Sequence, residues 1–264
     1  MFHQDLYPDN YKCDPFYTKE NYGFIKANPE VKSNYDTSFF KEIIFEDELP
    51  IYDPHLQKAT YMAPSIIYHA YKNNFHKDLD YIGFLEYDIL LIPEDKSPTI
   101  KSVTRHTKDI LNANKRVIIF YRHQHVLKTY YEQDINLSGK NAIVQIFEDY
   151  NSFWNTKYDY RAFLNNKVCS QQSFLTDRQT FIEIMKFISF VIENRLAERP
   201  HSFRRPSTLL DRYIAVALML HSSSEKVSMS LKHSNLKQWK DPGVKKYNFL
   251  KELKEHVGRL LVRQ

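Results

Sequence analysis

The stretch Tyr81-Ile-Gly-Phe-Leu-Glu-Tyr-Asp-Ile-Leu-Leu-Ile92 is apolar and β-prone almost throughout, yet two carboxylates, Glu86 and Asp88, interrupt it. A run this apolar predicts a buried strand. A buried strand accepts two acids only where something compensates their charge. Side chains at i and i+2 share one face of a strand, so Glu86 and Asp88 are expected to project together, about 7 Å apart along the backbone. A divalent cation is one compensator, because hard cations take carboxylate oxygens. The alternative is a strand end, with both acids facing water or paired with Arg or Lys.

With 264 residues, 42% of them hydrophobic, the chain can bury a sizeable core in a single domain, with or without a helical appendage. The net charge of +5 and a pI near 8.9 favour anionic ligands. Phosphates, nucleotides, nucleic acid and an acidic membrane surface all stay open on that ground. The five glycines form neither GxGxxG nor GxxxxGK[ST], so the dinucleotide fingerprint and the P-loop are excluded. Cys13 and Cys169 make neither a disulfide framework nor a thiolate zinc site, which fits a reducing compartment. No apolar run approaches about 18 residues and no signal segment is visible, so a soluble, cytoplasmic protein is expected.

Along the chain, Met1 to Gln4 reads as a very short strand and the rest of residues 1–40 as polar and hard to assign. Ile43 to Phe45 reads as a strand followed by an acidic turn. His55 to Asn74 reads as a helix with Pro64 near its start, leading to the strand from Tyr81. Ser102 to Asn112 is expected to be helical and Arg116 to Tyr121 a buried strand. Ser138 to Trp154 carries an amphipathic stripe, and Val168 to Leu175 reads as a short strand or loop. Thr176-Asp-Arg-Gln179 and Thr208-Leu-Leu-Asp211 match capping boxes opening two helices, one through Ile192 and one through Leu220. A charged connection, Glu193 to Pro206, joins them. Lys245 to Gln264 reads as a basic amphipathic helix. Strands alternating with helices predict an α/β layered fold.

A helix, a buried strand, an acid-x-acid pair and an apolar continuation, in that order, resemble GT-A glycosyltransferases. Leu49-Pro-Ile-Tyr-Asp-Pro-His-Leu-Gln57, Tyr71 to Asp88, Ser173-Phe-Leu175 and Leu209-Leu-Asp-Arg-Tyr-Ile-Ala215 resemble a narrower group, the glycan and capsule glycosyltransferases of bacteria and large DNA viruses. The likeness spans roughly residues 45–235, with its specific part in 49–92. It implies a GT-A-like, mainly parallel mixed sheet flanked by helices, with a C-terminal helical extension. It implies a single catalytic domain over 1–264: a nucleotide-sugar part (1–135), an acceptor and catalytic part (136–240) and the basic helix (241–264). It also implies a viral protein's place in the host cytoplasm, if the source is a virus.

The activity implied is hexosyl or pentosyl transfer from a nucleotide-diphosphate-sugar donor to a hydroxyl of an oligosaccharide or glycan acceptor, with Mn²⁺ or Mg²⁺. Asp88 would contact the ion directly and Glu86 through water or a ribose hydroxyl, with Tyr87 facing the other way. His233 is the candidate late metal ligand, imidazole being compatible with Mn²⁺ beside carboxylates. A plain surface histidine is the alternative. Arg204 and Arg205, with Arg199 and Lys237, would neutralise the diphosphate, or else form a solvated loop that includes His201. Asp211 would be the general base of an inverting transfer, or only the third residue of a helix cap. His123 and His125 make either a two-His site or a strand end facing solvent. Trp154, Tyr158 and Tyr160 either stack on an acceptor sugar or pack in the core. The competing class is a non-catalytic basic module led by the C-terminal helix, binding nucleic acid or an anionic membrane. The absence of an RNA-binding motif and the interleaving of acids and bases argue against nucleic acid, leaving at most weak membrane-surface contact.

Overall fold

A computed structural model describes residues 24–26, 43–57, 62–85, 92–93, 100–113, 116–120, 124–138, 141–169, 173–196, 206–228 and 231–232. Its strands are β1 (Phe24–Lys26), β2 (Ile43–Phe45), β3 (Tyr81–Phe84), β4 (Ile92–Pro93), β5 (Val117–Phe120), β6 (Gln124–Val126), β7 (Lys167–Cys169), β8 (Phe174–Asp177), β9 (Glu225–Ser228) and β10 (Leu231–Lys232). Its α-helices are α1 (Pro54–Gln57), α2 (Met62–Lys72), α3 (Ile100–Ala113), α4 (Leu127–Ser138), α5 (Ala142–Trp154), α6 (Arg178–Val191) and α7 (Pro206–Leu220).

β5, Val-Ile-Ile-Phe, is buried at all four positions. Such a strand needs cover on both faces, and it has it. Ile118 and Phe120 enter a large core that includes Phe174, Phe181, Ile188 and Leu210. Val117 and Ile119 enter a second cluster with Ile110 and Leu111 of α3, Leu175 and Val227. The four-stranded sheet has the order β3-β8-β5-β9. β8 is antiparallel to both neighbours and β9 is parallel to β5. The protein therefore mixes helix and sheet, with a mixed sheet flanked by helices. Two of the three pairings in this sheet are antiparallel, which corrects the expected mainly parallel arrangement, although β3, β5 and β9 do share one direction.

The apolar run 81–92 is not one strand. β3 ends at Phe84, and Ile92–Pro93 pairs with Leu231–Lys232 in a separate two-stranded ribbon. Nor is β3 central: among the described residues it lies at the edge of the sheet. Ile82 and Phe84 are buried, while Tyr81 is half-buried and Gly83 exposed. An edge strand has a neighbour on one side only, and here burial alternates with the strand period of two.

Local chemistry sets the helix ends. Asn141 caps α5 by accepting from the Ile143 N–H, and Asn155 closes it in the left-handed region at φ 51°. The cap of α6 is Asp177, one residue after the expected Thr176. Its Oδ1 accepts from Thr180 N at 2.9 Å, while Thr176 sits in β8 and donates its hydroxyl to Val117 O. α7 begins at Pro206, two residues before the expected Thr208 cap. Proline suits the first helical position, where its missing N–H costs no hydrogen bond. From Leu209 to Leu220 every residue of α7 except Asp211 is buried. A helix apolar all round belongs inside a core, and α7 packs against α2, α5, α6 and β7. A π-helical turn, Ile192–Leu196, extends α6. Its Glu193 accepts from Lys72 at 2.7 Å and from Tyr68 at 3.2 Å, both on α2.

Gly83 lies under the crossing of β8. A Cβ there would meet Leu175 Cδ1 and the Phe174 carbonyl oxygen, each at 2.9 Å. At an ordinary exposed strand position Gly→Ala stabilises by about 0.4–1 kcal/mol. Here Gly83→Ala is expected to destabilise by about 1–3 kcal/mol, because β8 backbone must move, and the sign is read from the urea midpoint.

Candidate functional site

The shared direction of β3, β5 and β9 brings their carboxyl ends to one edge. Phe84 and Phe120 both lie opposite Phe174 at the start of β8, and Ser228 lies opposite Phe120. In open α/β sheets, ligands bind beyond the carboxyl ends of the strands. Leu85 follows β3 there, half-buried against the second cluster. Glu86 and Asp88 come next in the sequence and lie outside the described residues, as do Arg199, His201, Arg204, Arg205, His233, Lys237, His123 and the basic helix 245–264.

Asp211 is described, and two anchors place it. The last turn of α7 ends at the opposite edge, where the Lys226 ammonium donates to His221 O at 2.6 Å and Glu225 N donates to Arg116 O at 3.1 Å. The helix also packs on β7, which pairs with β6, the strand that follows the carboxyl end of β5. α7, which bears Asp211 in its second turn, thus has its last turn at the amino edge and packs on β7. Because α7 starts at Pro206, Asp211 is its sixth residue rather than the third. The first turn holds no acid, so a helix-dipole role no longer accounts for Asp211.

Charges alternate with apolar groups around it. Arg212 is buried, with its guanidinium 5.2 Å from the Tyr130 ring centre. Burial holds its pKa below the ordinary arginine value, with the Tyr130 hydroxyl opposing that shift. Tyr213, fully buried, donates to Asp149 Oδ2 at 2.5 Å, and Asp149 Oδ1 is 3.4 Å from Arg195 Nε. These contacts fix the first turns of α7 against α5 and the π turn.

The remaining aromatic candidates form a wall of the core. Trp154 meets Phe153 edge-on, Tyr158 meets Phe163 edge-on, and Tyr160 stacks on Tyr131 at 5.4 Å. All three candidates are half-buried. His125 pairs through its backbone with Val168.

The amino edge holds a polar cluster that the sequence did not announce. Asp177 Oδ2 accepts from the Thr180 hydroxyl at 2.6 Å and from Val117 N at 3.2 Å, and the Thr180 and Ser224 hydroxyls are 2.6 Å apart. Glu183 Oε2 accepts from Arg116 at 2.6 Å and from His221 Nε2 at 2.8 Å. Desolvation pushes the Glu183 carboxyl up, but hydrogen bonds from Gln179, Arg116 and His221 outweigh it and hold the group at about 2. Burial lowers His221 despite the Glu183 carboxylate, so at neutral pH its ring is neutral, with the proton on Nε2. A carboxylate–imidazole pair can serve a nucleophile, but the Ser224 hydroxyl here pairs with Thr180. Together with its place at the amino edge, this makes the cluster a structural tie between β5, α6 and β9.

A third buried group, Glu46, Ser65 and His69, also escaped the sequence reading. Its one signal was a histidine inside the apolar run Ile66-Ile-Tyr-His-Ala70. Among the described residues no three His, Cys, Asp or Glu side chains gather so as to hold a metal ion, and no helix is long and apolar enough to cross a membrane. Comparison with protein-family models, with curated proteins and with solved structures returned no match.

The amino-edge pair sets a pH dependence. Both folded pKa values lie below their ordinary ones, so the unfolded chain binds more protons in acid and stability rises with pH. Stability is expected to fall as the pH drops below about 6.5 through His221, then again from about 4.5 toward 2 through Glu183. Glu183→Gln should be less stable near pH 7 and should lack the second step, as read from urea midpoints across pH.

Proposed function

We propose that the protein is a metal-dependent glycosyltransferase of the GT-A type, moving a hexose or pentose from a nucleotide-diphosphate-sugar donor to a hydroxyl of a glycan. One observation carries the reading. β3 leads toward Glu86-x-Asp88 at the carboxyl edge of the sheet, where ligands bind in open α/β sheets, and α7 bears the half-buried Asp211. An acid pair suited to chelation and a half-buried carboxylate in the second turn of a helix make a complementary set: one would hold the leaving group's counter-ion, the other would take a proton.

The donor set fits a hard divalent ion, since Asp88 and Glu86 offer carboxylate oxygens and His233 an imidazole, a combination suited to Mn²⁺. Bound there, Mn²⁺ or Mg²⁺ supplies positive charge to the departing diphosphate. Arg204, Arg205 and Lys237 add charge of the same sign, the arginines through forked donors. Asp211 removes the acceptor hydroxyl proton as that oxygen bonds to the anomeric carbon. The bond from that carbon to the diphosphate oxygen breaks, and its electron pair leaves with the nucleoside diphosphate. The configuration inverts, because one displacement occurs with no enzyme-bound intermediate.

A thermal-shift series with nucleoside diphosphates, with and without Mn²⁺, tests the reading. Saturating ligand should raise the wild-type midpoint by roughly 5 °C or more only with Mn²⁺, and Asp88→Ala should abolish the rise. Asp211→Asn should keep the rise and lose sugar transfer by about 100-fold or more. Equal rises in wild type and Asp88→Ala would remove Asp88 from the site. Steeply salt-dependent retention of DNA or RNA, with no nucleotide response, would favour the basic binding module instead.

A further inference from the structure

Segment 49–57 is held to the end of α2 at two points of different chemistry. Asn73, just past the helix, accepts from Ile51 N at 2.9 Å and donates to Ile51 O at 2.8 Å. This double bond does not titrate. The second point is His69, fully buried, whose Nε2 lies 3.0 Å from Asp53 N. A backbone N–H only donates, so Nε2 must be the acceptor and carry no proton. The ring proton is therefore on Nδ1, where it is donated to Glu46 Oε1 at 2.7 Å. The Ser65 hydroxyl donates to the same oxygen at 2.7 Å, and Glu46 and Ser65 are also fully buried. The second Glu46 oxygen, Oε2, is buried without a hydrogen-bond partner among the described residues.

The two contacts fix one protonation form of the ring. Glu46 takes the Nδ1 proton and the Asp53 N–H needs a bare Nε2, whereas an imidazolium presents a donor at both nitrogens. The other titratable groups facing the ring do not replace the lost acceptor. The Tyr52 and Tyr68 rings lie tilted to it, with centres at 5.2 and 5.6 Å. The Tyr68 hydroxyl is engaged with Glu193, which also pairs with Lys72. The Asp53 carboxylate already accepts from His55 N at 2.8 Å.

We propose that His69 is a proton-operated latch on residues 52–57. Neutral, it holds the Asp53 amide and with it the turn into α1, whose Leu56 is buried in the core. Protonated, it keeps Glu46, gives up Asp53 and frees the segment, while Asn73 keeps Ile51 in place. The result is a local opening with a fixed hinge at residue 51, not global unfolding.

Amide hydrogen exchange by NMR on the full chain, followed from about pH 8 to about pH 5 with the His69 ring nitrogens, provides the test. After correction for intrinsic exchange, protection of Asp53 N–H should fall at least about tenfold in step with protonation of His69. The Ile51 and Val117 amides should hold. His69→Phe, which has a flat ring and no acceptor, should leave Asp53 unprotected at every pH. Should that variant not fold, Glu46→Gln, which still accepts at Oε1, should move the loss of Asp53 protection to lower pH. The latch is overturned by an Asp53 amide still protected after His69 is doubly protonated, or by a neutral ring bearing its proton on Nε2. It is equally overturned by joint loss of the Ile51 and Asp53 amides, or by a ring that gains no second proton before the chain unfolds.

Discussion

The Asp177 carboxylate is where strand, helix and turn are fastened together. One oxygen caps α6 through Thr180 N, and the other takes the Thr180 hydroxyl and the first amide of β5. Through Thr180 the connection continues to Ser224, at the turn into β9. A buried carboxylate is costly unless it is surrounded by donors, and this one has three. Its satisfaction requires β8, β5, α6 and the α7–β9 turn to arrive together. The neighbouring Arg116, Glu183 and His221 make the same demand from the solvent side.

With the amino edge fastened, α7 has a fixed end point for its run through the core. Its apolar residues face helices on several sides, and its polar ones are confined to the first turns. The amino-edge carboxylates are spent on hydrogen bonds that hold strands in register. Asp211 lies half-buried, beyond the first turn of its helix.

Much of the architecture was legible where one period dominates a segment. The four consecutive apolar residues of β5, the stripe from Phe181 to Ile192 and the run from Leu209 to Leu220 were read directly, because burial leaves a regular trace in sequence. Continuity and exact ends were harder to read. The apolar run from Tyr81 suggests one central strand, because composition does not reveal where hydrogen-bonded neighbours stop. Thr176 and Asp177 are both good caps, and only the tertiary bond from Thr176 to Val117 O decides between them. α4 was missed, since Leu-Lys-Thr-Tyr-Tyr-Glu-Gln-Asp-Ile-Asn-Leu-Ser shows no sustained stripe. The polar clusters were invisible for another reason. Their partners are distant in sequence, His69 with Glu46, Arg116 with Glu183 and Tyr213 with Asp149, and local pattern carries no trace of such pairs. Of the candidate site, the acid-x-acid pair was found from residue type, whereas the position of Asp211 within its helix depended on where Pro206 begins it.

The π turn at Ile192–Leu196 bears on how this chain tolerates insertions and deletions. A wider turn rotates the residues after it relative to a regular helix, and here that rotation sends Glu193 to α2 and Arg195 to α5. Removing one residue to restore regular winding would swing both side chains about the helix axis by roughly a quarter turn or more, away from Lys72 and Asp149 together. The length of this helix is therefore locked to the spacing of its two neighbours, and a tolerated change of length here must replace both ion pairs at once.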